Sequence, residues 1–199
     1  MDATAWDERY RGAELVWGAE PNCFLVDETA GLAPGRALDA ACGEGRNALW
    51  LAAQGWEATG VDFSEAGVAR ARALADQAGL SATFEVADLT VWQPPTGTFD
   101  LVLVAYLQLP EPVRRGVYGR LAEAVAPGGT MLVIGHDRAN LTDGVGGPQR
   151  SDVLLDAAEV ADDLVDLVVD VAERRRRPVT VDGETRQAID TVVRAHRPR

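Results

Sequence analysis

From residue 36 onward, short runs of consecutive apolar residues alternate with stretches whose apolar positions recur every three or four residues. Runs of the first kind predict strands at residues 37–41, 56–61, 82–86, 99–105 and 130–135. Stretches of the second kind predict helices over residues 46–54, 64–77 and 110–126, with helix signals again over 151–164. Ala48, Leu49, Leu51 and Ala52 form the apolar face of the first helix, and Ser64 and Gly79 bracket the second. The run FDLVLVA is apolar almost throughout, as a central parallel strand covered on both faces requires. Near the end the pattern changes. Two long strands, from residue 164 or 165 to 177 and from 187 to 197, are joined by a turn at Asp182 and Gly183. Ahead of residue 36, a helix capped by Thr4 and reaching Arg11 and another from Pro21 or Asn22 to Thr29 are expected. Strand and helix alternate, so the chain reads as a doubly wound α/β fold.

Composition narrows the function. The chain has 199 residues, enough for one domain with a full core or one domain and a small cap. All 19 basic residues are arginine, which excludes a Schiff-base lysine, a phosphate-loop lysine and a lysine general base. A net charge of −12 opposes a broad nucleic-acid footprint. The run Arg174 to Arg177 does not reverse this, because alternation along a strand splits its charges between two faces; a solvated sheet edge is expected there. Two cysteines, Cys23 and Cys42, suit a reducing compartment, and no zinc or other metal site is expected. The opening MDATAWDERY lacks a signal-peptide core and no run approaches ~18 apolar residues, so a cytoplasmic protein without a membrane partner is expected.

The chemistry is concentrated between residues 36 and 62, which read as strand, glycine turn, helix and strand. Gly43 and Gly45 permit a sharp turn and close approach of a ligand to the backbone. The helix start beyond them offers unpaired N–H groups to an anionic or polar ligand. Asp62 ends the second strand nineteen residues after Gly43, where a ribose diol would lie. Asp39 stands inside the first strand, where a purely structural strand prefers an apolar residue. Tyr106 follows the fourth strand and His136 and Asp137 follow the fifth, on the edge where open parallel sheets collect ligands. The loop over residues 138–150 is a candidate substrate loop.

The run DAACGEGRNA, from Asp39 to Ala48, resembles the first motif of class I S-adenosylmethionine-dependent methyltransferases, and the helix, APGG and strand sequence over residues 110–135 resembles the same family. WDERY followed by WGAEPN resembles the leader of its small-molecule branch, of the tellurite-resistance and thiopurine types. The resemblance implies a mostly parallel, seven-stranded Rossmann-like sheet with an antiparallel last strand, and S-adenosylmethionine as cofactor. It divides the chain into a helical lid, residues 1–35, and a methyltransferase domain, residues 36–199. The cofactor contacts it implies are Tyr10 and Trp17 on the lid; Asp39, Gly43, Gly45, Arg46 and Asn47 at the glycine turn; Asp62 and Phe63; Asp88 and Leu89 at the adenine; and Ala105. Many members carry glycine where Ala41 stands. The expected reaction is methyl transfer to a sulfur, oxygen or nitrogen of a small-molecule acceptor, with His136 and Tyr106 as the catalytic candidates, in a monomer or homodimer. A cofactor-binding sensor without activity and an NAD-dependent oxidoreductase are the alternatives.

Overall fold

The structure is a computed structural model that describes residues 3–12 and 14–199; Met1, Asp2 and Ala13 of the leader lie outside the described residues. Five strands run parallel: β1 (Arg36–Ala40), β2 (Glu57–Asp62), β3 (Ala82–Val86), β4 (Phe99–Ala105) and β5 (Val125–His136). A closing hairpin adds β6 (Val168–Val181) and β7 (Glu184–His196), and β7 lies antiparallel to both β5 and β6. The order β3-β2-β1-β4-β5-β7-β6 reverses direction between β1 and β4. Ligands bind open parallel sheets at such a switch point, beyond the carboxyl ends of the strands.

Side-chain alternation divides the core into two layers. Val102 and Val104 of β4 face the helix α5 (Glu111–Ala124), while Leu101 and Leu103 face α2 (Cys23–Thr29), α3 (Arg46–Ala53) and α4 (Glu65–Ala78). All four are fully buried, which is why FDLVLVA carries no polar face beyond Asp100. Ser64 caps α4 by accepting from Gly67 N, and Gly79 ends it in the left-handed conformation. Both signals were legible in the sequence.

Beyond residue 36 the boundaries depart from expectation most at α5, at residues 151–164 and in the closing hairpin. Helix α5 stops at Ala124 rather than residue 126, because Val125 is already extended and pairs with Phe99. The Pro127–Gly129 segment therefore belongs to the start of β5, held by Gly128 N to Arg197 O (2.8 Å) and Arg197 N to Gly129 O (3.0 Å). Residues 151–164 do not form one helix. Ser151–Val153 makes a single 3-10 turn, Leu155 bridges to Asp137, and α7 (Ala157–Asp163) begins only after Asp156, whose side chain accepts from Ala158 N and Glu159 N. The hairpin strands start and end elsewhere than expected, since pairing continues up to a two-residue turn in which Asp182 and Gly183 both have positive φ, 52° and 79°.

The leader contributes α1 (Ala3–Tyr10), with Thr4 inside the helix instead of at its cap, and α2, which Asn22 caps by accepting from Phe24 N. Helix α1 packs on α4, and α2 reaches β5. Between the two, residues 14–22 cross the carboxyl edge of the sheet.

Candidate active site

Beyond β1 the chain turns through Ala41 to Gly45 into α3. Ala41 N and Cys42 N both donate to Val61 O, at 2.8 and 3.1 Å, so the turn is fixed to the end of β2. Ala41, Gly43 and Gly45 take φ of 67°, 53° and 82°. Only glycine adopts that region without strain, so Ala41 costs about 1 kcal/mol or more. Ala41→Gly is accordingly expected to raise the melting temperature by roughly 2 °C, read by calorimetry, because relief of strain exceeds the added freedom of the unfolded chain. At Gly43 the constraint is contact: a Cβ there would meet Tyr10 Oη at 2.6 Å.

Asp62 closes the turn from the other side. Gly43 N donates to its Oδ2 (2.8 Å) and Ser64 N to its Oδ1 (2.9 Å). A carboxylate has about four acceptor positions, so two remain for a diol. Burial pushes this carboxyl up, and the N–H groups of Ser64, Gly43 and Phe63 oppose that shift. On the neighbouring strand end Asp88 is exposed and its Oδ1 accepts from Thr90 N at 2.8 Å, leaving its second oxygen available beside Leu89.

The sequence reading placed Asp39 and Gly45 among the cofactor contacts; the structure places both behind the cavity wall. A Cβ at Gly45 would lie 2.8 Å from Ala71 Cβ and 2.9 Å from the Phe84 ring, so this glycine serves packing. Asp39 is 1% exposed; its Oδ2 accepts from Ala48 N at 3.1 Å and its Oδ1 has no partner. Burial pushes its carboxyl up to about 7. Between 3.8, its ordinary value, and 7 the folded chain thus holds more protons than the unfolded chain. Stability from this group falls as pH rises through that window, by a total on the order of 4 kcal/mol, and is level above it. Melting curves from pH 4 to 8 should show this fall in the wild type relative to Asp39→Asn.

The leader roofs the turn. Glu44, 4% exposed, accepts from Val16 N (2.9 Å) and pairs with Arg70 (2.7 Å), which also donates to the carbonyls of Gly12 and Glu14. Asp7 accepts from Ser64 and from Ala66 N, tying α1 to the first turn of α4. These contacts set Tyr10 and Trp17 on the cavity wall, with Trp6 stacked on Tyr10 at 5.4 Å between ring centroids. Arg46 Nη1 donates to Trp17 O at 3.1 Å, so the first residue of α3 holds the leader as well as facing the cavity. Asn47 Oδ1 accepts from Asn22 N at 2.9 Å.

Across the cavity a second polar cluster forms where β4, β5, β6 and β7 end or cross. Tyr106, at a φ of 59°, turns away from β4 and donates from its hydroxyl to Asp190 Oδ2 (3.0 Å), while Asn22 Nδ2 donates to that hydroxyl (3.3 Å). Arg177 Nε donates to the same Asp190 oxygen at 2.9 Å. His136 Nδ1 lies 3.1 Å from Asp190 Oδ1, within ion-pair distance but off the line of a hydrogen bond, and its ring stands 4.8 Å from that of Tyr106. Asp190 is fully buried; burial acts to raise its carboxyl, yet His136 and Arg177 together hold it below the usual carboxylate range. Burial raises the Tyr106 phenol, and Asp190 raises it further. An imidazole with one nitrogen against a buried carboxylate and its ring on a cavity wall is arranged to accept a proton on the other nitrogen.

The two clusters face one cavity of about 1250 Å³, lined by Tyr10, Trp17, Gly43, Arg46, Asn47, Asp62, Phe63, Asp88, Leu89, Ala105, Tyr106 and His136 among others. That volume exceeds the ~300–1,000 Å³ of a single-ligand pocket and leaves space for two molecules side by side. The residues at the turn fit an adenosyl amino acid: Asp62 keeps acceptor positions beyond its bonds to Gly43 N and Ser64 N, and Gly43 has no room for a Cβ. Sequence reasoning missed Asn22, Glu44, Arg177 and Asp190. Residues 174–177 do lie on the edge strand, with Arg174 and Arg176 exposed on one face; what the sequence did not show is that on the other face Arg175 pairs with Glu28 and Glu173 and Arg177 with Asp190. Among the described residues no group of three or more His, Cys, Asp and Glu is placed to hold a metal ion. Nor is any helix among them long and apolar enough to cross a membrane.

Comparison with known proteins agrees with this geometry. The family described as a methyltransferase domain matches residues 37–129. The chain is 33% identical over 117 residues to the 2-heptyl-1-hydroxyquinolin-4(1H)-one methyltransferase of Mycobacteroides abscessus, covering 57% of this chain and 52% of that protein. It is 36% identical over 125 residues to the demethylmenaquinone methyltransferase of Thermus thermophilus, covering 62% and 55%. The chain thus spans about half the length of these curated relatives. A protein solved in connection with the conversion of a disulfide bond into a thioacetal group during echinomycin biosynthesis superposes with a TM-score of 0.80 and 25% identity, over 98% of this chain and 92% of that one. In its sheet order, its glycine turn and these likenesses the chain is similar to the class I S-adenosylmethionine-dependent methyltransferases.

Proposed function

We propose that the protein transfers a methyl group from S-adenosylmethionine to a sulfur, oxygen or nitrogen nucleophile of a small molecule. The observation that carries this reading is the meeting of the Gly43 turn and the His136–Asp190 pair in one cavity with volume for two ligands. The relatives support the acceptor class, since both are named for methylating small ring-bearing molecules.

S-adenosylmethionine supplies an electrophilic methyl on a sulfonium, and transfer from it is an in-line displacement. The chain's residues have three tasks in that reaction. Asp62 accepts from the ribose diol, while Asp88 and the backbone of Leu89 offer an acceptor beside a donor to the adenine edge. Trp6, Tyr10 and Trp17 keep water from the reacting atoms. His136 takes the proton of a hydroxyl or amine nucleophile as the new bond to carbon forms. Asp190 orients the imidazole, and Tyr106 and Arg177 fix Asp190. An acceptor already ionised needs only to be aligned.

Lack of a basic surface, at a net charge of −12, favours a small acceptor over nucleic acid. Two unpaired cysteines, Cys23 and Cys42, favour the cytoplasm, and we read the active form as a monomer or homodimer. A panel of thiols, phenols and amines, incubated with methyl-labelled cofactor, tests the reading. Label should enter at least one small acceptor; incorporation only into protein or nucleic acid would contradict it.

A further inference from the structure

Arg177 occupies an unusual position for a cation. It stands on β6 at the margin of the polar cluster, lines the cavity, donates from Nε to Asp190, and lies over the Tyr106 ring with its guanidinium carbon 5.9 Å from the centroid. Asp190 is the one carboxylate paired with it among the described residues. Its neighbour on the same face, Arg175, meets two carboxylates, Glu28 and Glu173. A guanidinium has five N–H donors in a fixed fork, and use of Nε leaves the outer edge with both Nη groups oriented but without an acid. That side chain is neither on the surface nor enclosed: one quarter of it is exposed, and the cavity is what it is exposed to.

Beyond Asp190 and Tyr106, the cavity wall on the acceptor side carries several apolar side chains. Leu107 and Leu109 follow β4, Val145 comes from the loop after β5, and Val179 and Val181 extend from the hairpin. The other arginine on the wall, Arg46, begins α3 beside the glycine turn and belongs to the cofactor half. Burial lowers its pKa, and the charge of Arg177 adds to this, so the two guanidiniums face a common space in a protein of net charge −12. A neutral acceptor would leave the Nη groups unpaired when it displaced water from them, whereas an anionic oxygen group would satisfy both.

Resting on the methyl-transfer reading, we propose that the acceptor is a molecule with an apolar body and an anionic oxygen group such as a carboxylate, the group received by the Nη edge of Arg177 and the body by the wall of Leu107, Leu109, Val145, Val179 and Val181. Arg177 is then the residue that determines specificity, placed so that the nucleophile of the bound acceptor falls near His136.

Calorimetric titration of protein saturated with S-adenosylhomocysteine tests this without turnover, using 2-naphthoate and its neutral counterpart 2-naphthamide as probes. The wild type should bind the carboxylate about tenfold more tightly or better. Arg177→Gln should abolish the preference, and Arg177→Lys, which keeps charge but not the fork, should retain part of it. Affinity for S-adenosylhomocysteine should stay within about twofold in both variants. The proposal is overturned if the wild type shows no preference or fails to bind the carboxylate at millimolar concentration, or if the preference survives in Arg177→Gln. It is also overturned if Arg177→Gln loses S-adenosylhomocysteine, which would assign this arginine to the cofactor. If Arg177→Gln does not fold, the wild-type comparison and the lysine variant decide. Failure of the wild type to bind S-adenosylhomocysteine would overturn the methyl-transfer reading itself, and this inference with it.

Discussion

Asp62→Ala is expected to weaken binding of S-adenosylmethionine and of S-adenosylhomocysteine by about a hundredfold or more. The carboxylate stands at the end of β2, 4% exposed, with one oxygen bonded to Gly43 N and the other to Ser64 N. Two remaining acceptor positions match the two hydroxyls of a ribose, and hydrogen bonds to a charged group contribute about 1.5–3 kcal/mol each. Removal of the side chain does further damage, because Gly43 N loses its acceptor and the turn loses its attachment to β2 on that side. The melting temperature separates the two effects. A fall of a few degrees with a hundredfold loss of affinity is the predicted outcome; full affinity in a folded Asp62→Ala would remove the ribose contact from the account.

His136→Ala is expected to lower kcat by about 10²–10³ on a phenolic or amine acceptor while cofactor affinity is unchanged. The ring lines the cavity, and Asp190 stays fixed by Tyr106 and Arg177 when the imidazole is gone, so the fold should tolerate the change. Size of the effect should depend on the acceptor. A thiol ionised at the assay pH needs no base and should lose less than about tenfold, whereas a phenol of high pKa should show the full loss. Equal losses on both acceptors would mean that His136 shapes the cavity without moving a proton.

The cofactor half of this site was legible because its determinants are local. Glycine spacing, a carboxylate at the end of an apolar run and a capping serine each act within a few residues. Ala41 illustrates the limit. Its backbone is left-handed, but the alanine gives no local sign of that strain. Asp39 and Gly45 show the complementary limit: both belong to the motif by sequence, and only the fold shows one as a buried tie to α3 and the other admitting Ala71 and Phe84.

The acceptor half was less legible because it is assembled by strand register. Asp190 sits in a run, QAIDTVV, that reads as buried strand, and its neighbours in sequence say nothing of its partners. Antiparallel pairing sets it directly opposite His136 on β5 and Arg175 on β6, with Arg177 two residues further along that strand. A shift of one residue would turn Asp190 to the other face. The run Arg174–Arg177 lies on the edge strand as expected, but its partners were hidden for the same reason, since these acids come from α2, from β7 and from the residue after β5. The helix signals over residues 151–164 were interrupted by a tertiary contact too: Leu155 N donates to His136 O, and the strand-like bridge this makes separates the 3-10 turn at Ser151–Val153 from α7.

Calorimetric titration with S-adenosylhomocysteine tests the central claim most directly, because it asks only whether the Gly43 turn, Asp62 and Asp88 form an adenosyl site. One saturable site per chain, lost in Asp62→Ala and not contested by NAD, is the predicted result. No heat from a folded protein, or tighter binding of NAD than of S-adenosylhomocysteine, would contradict it.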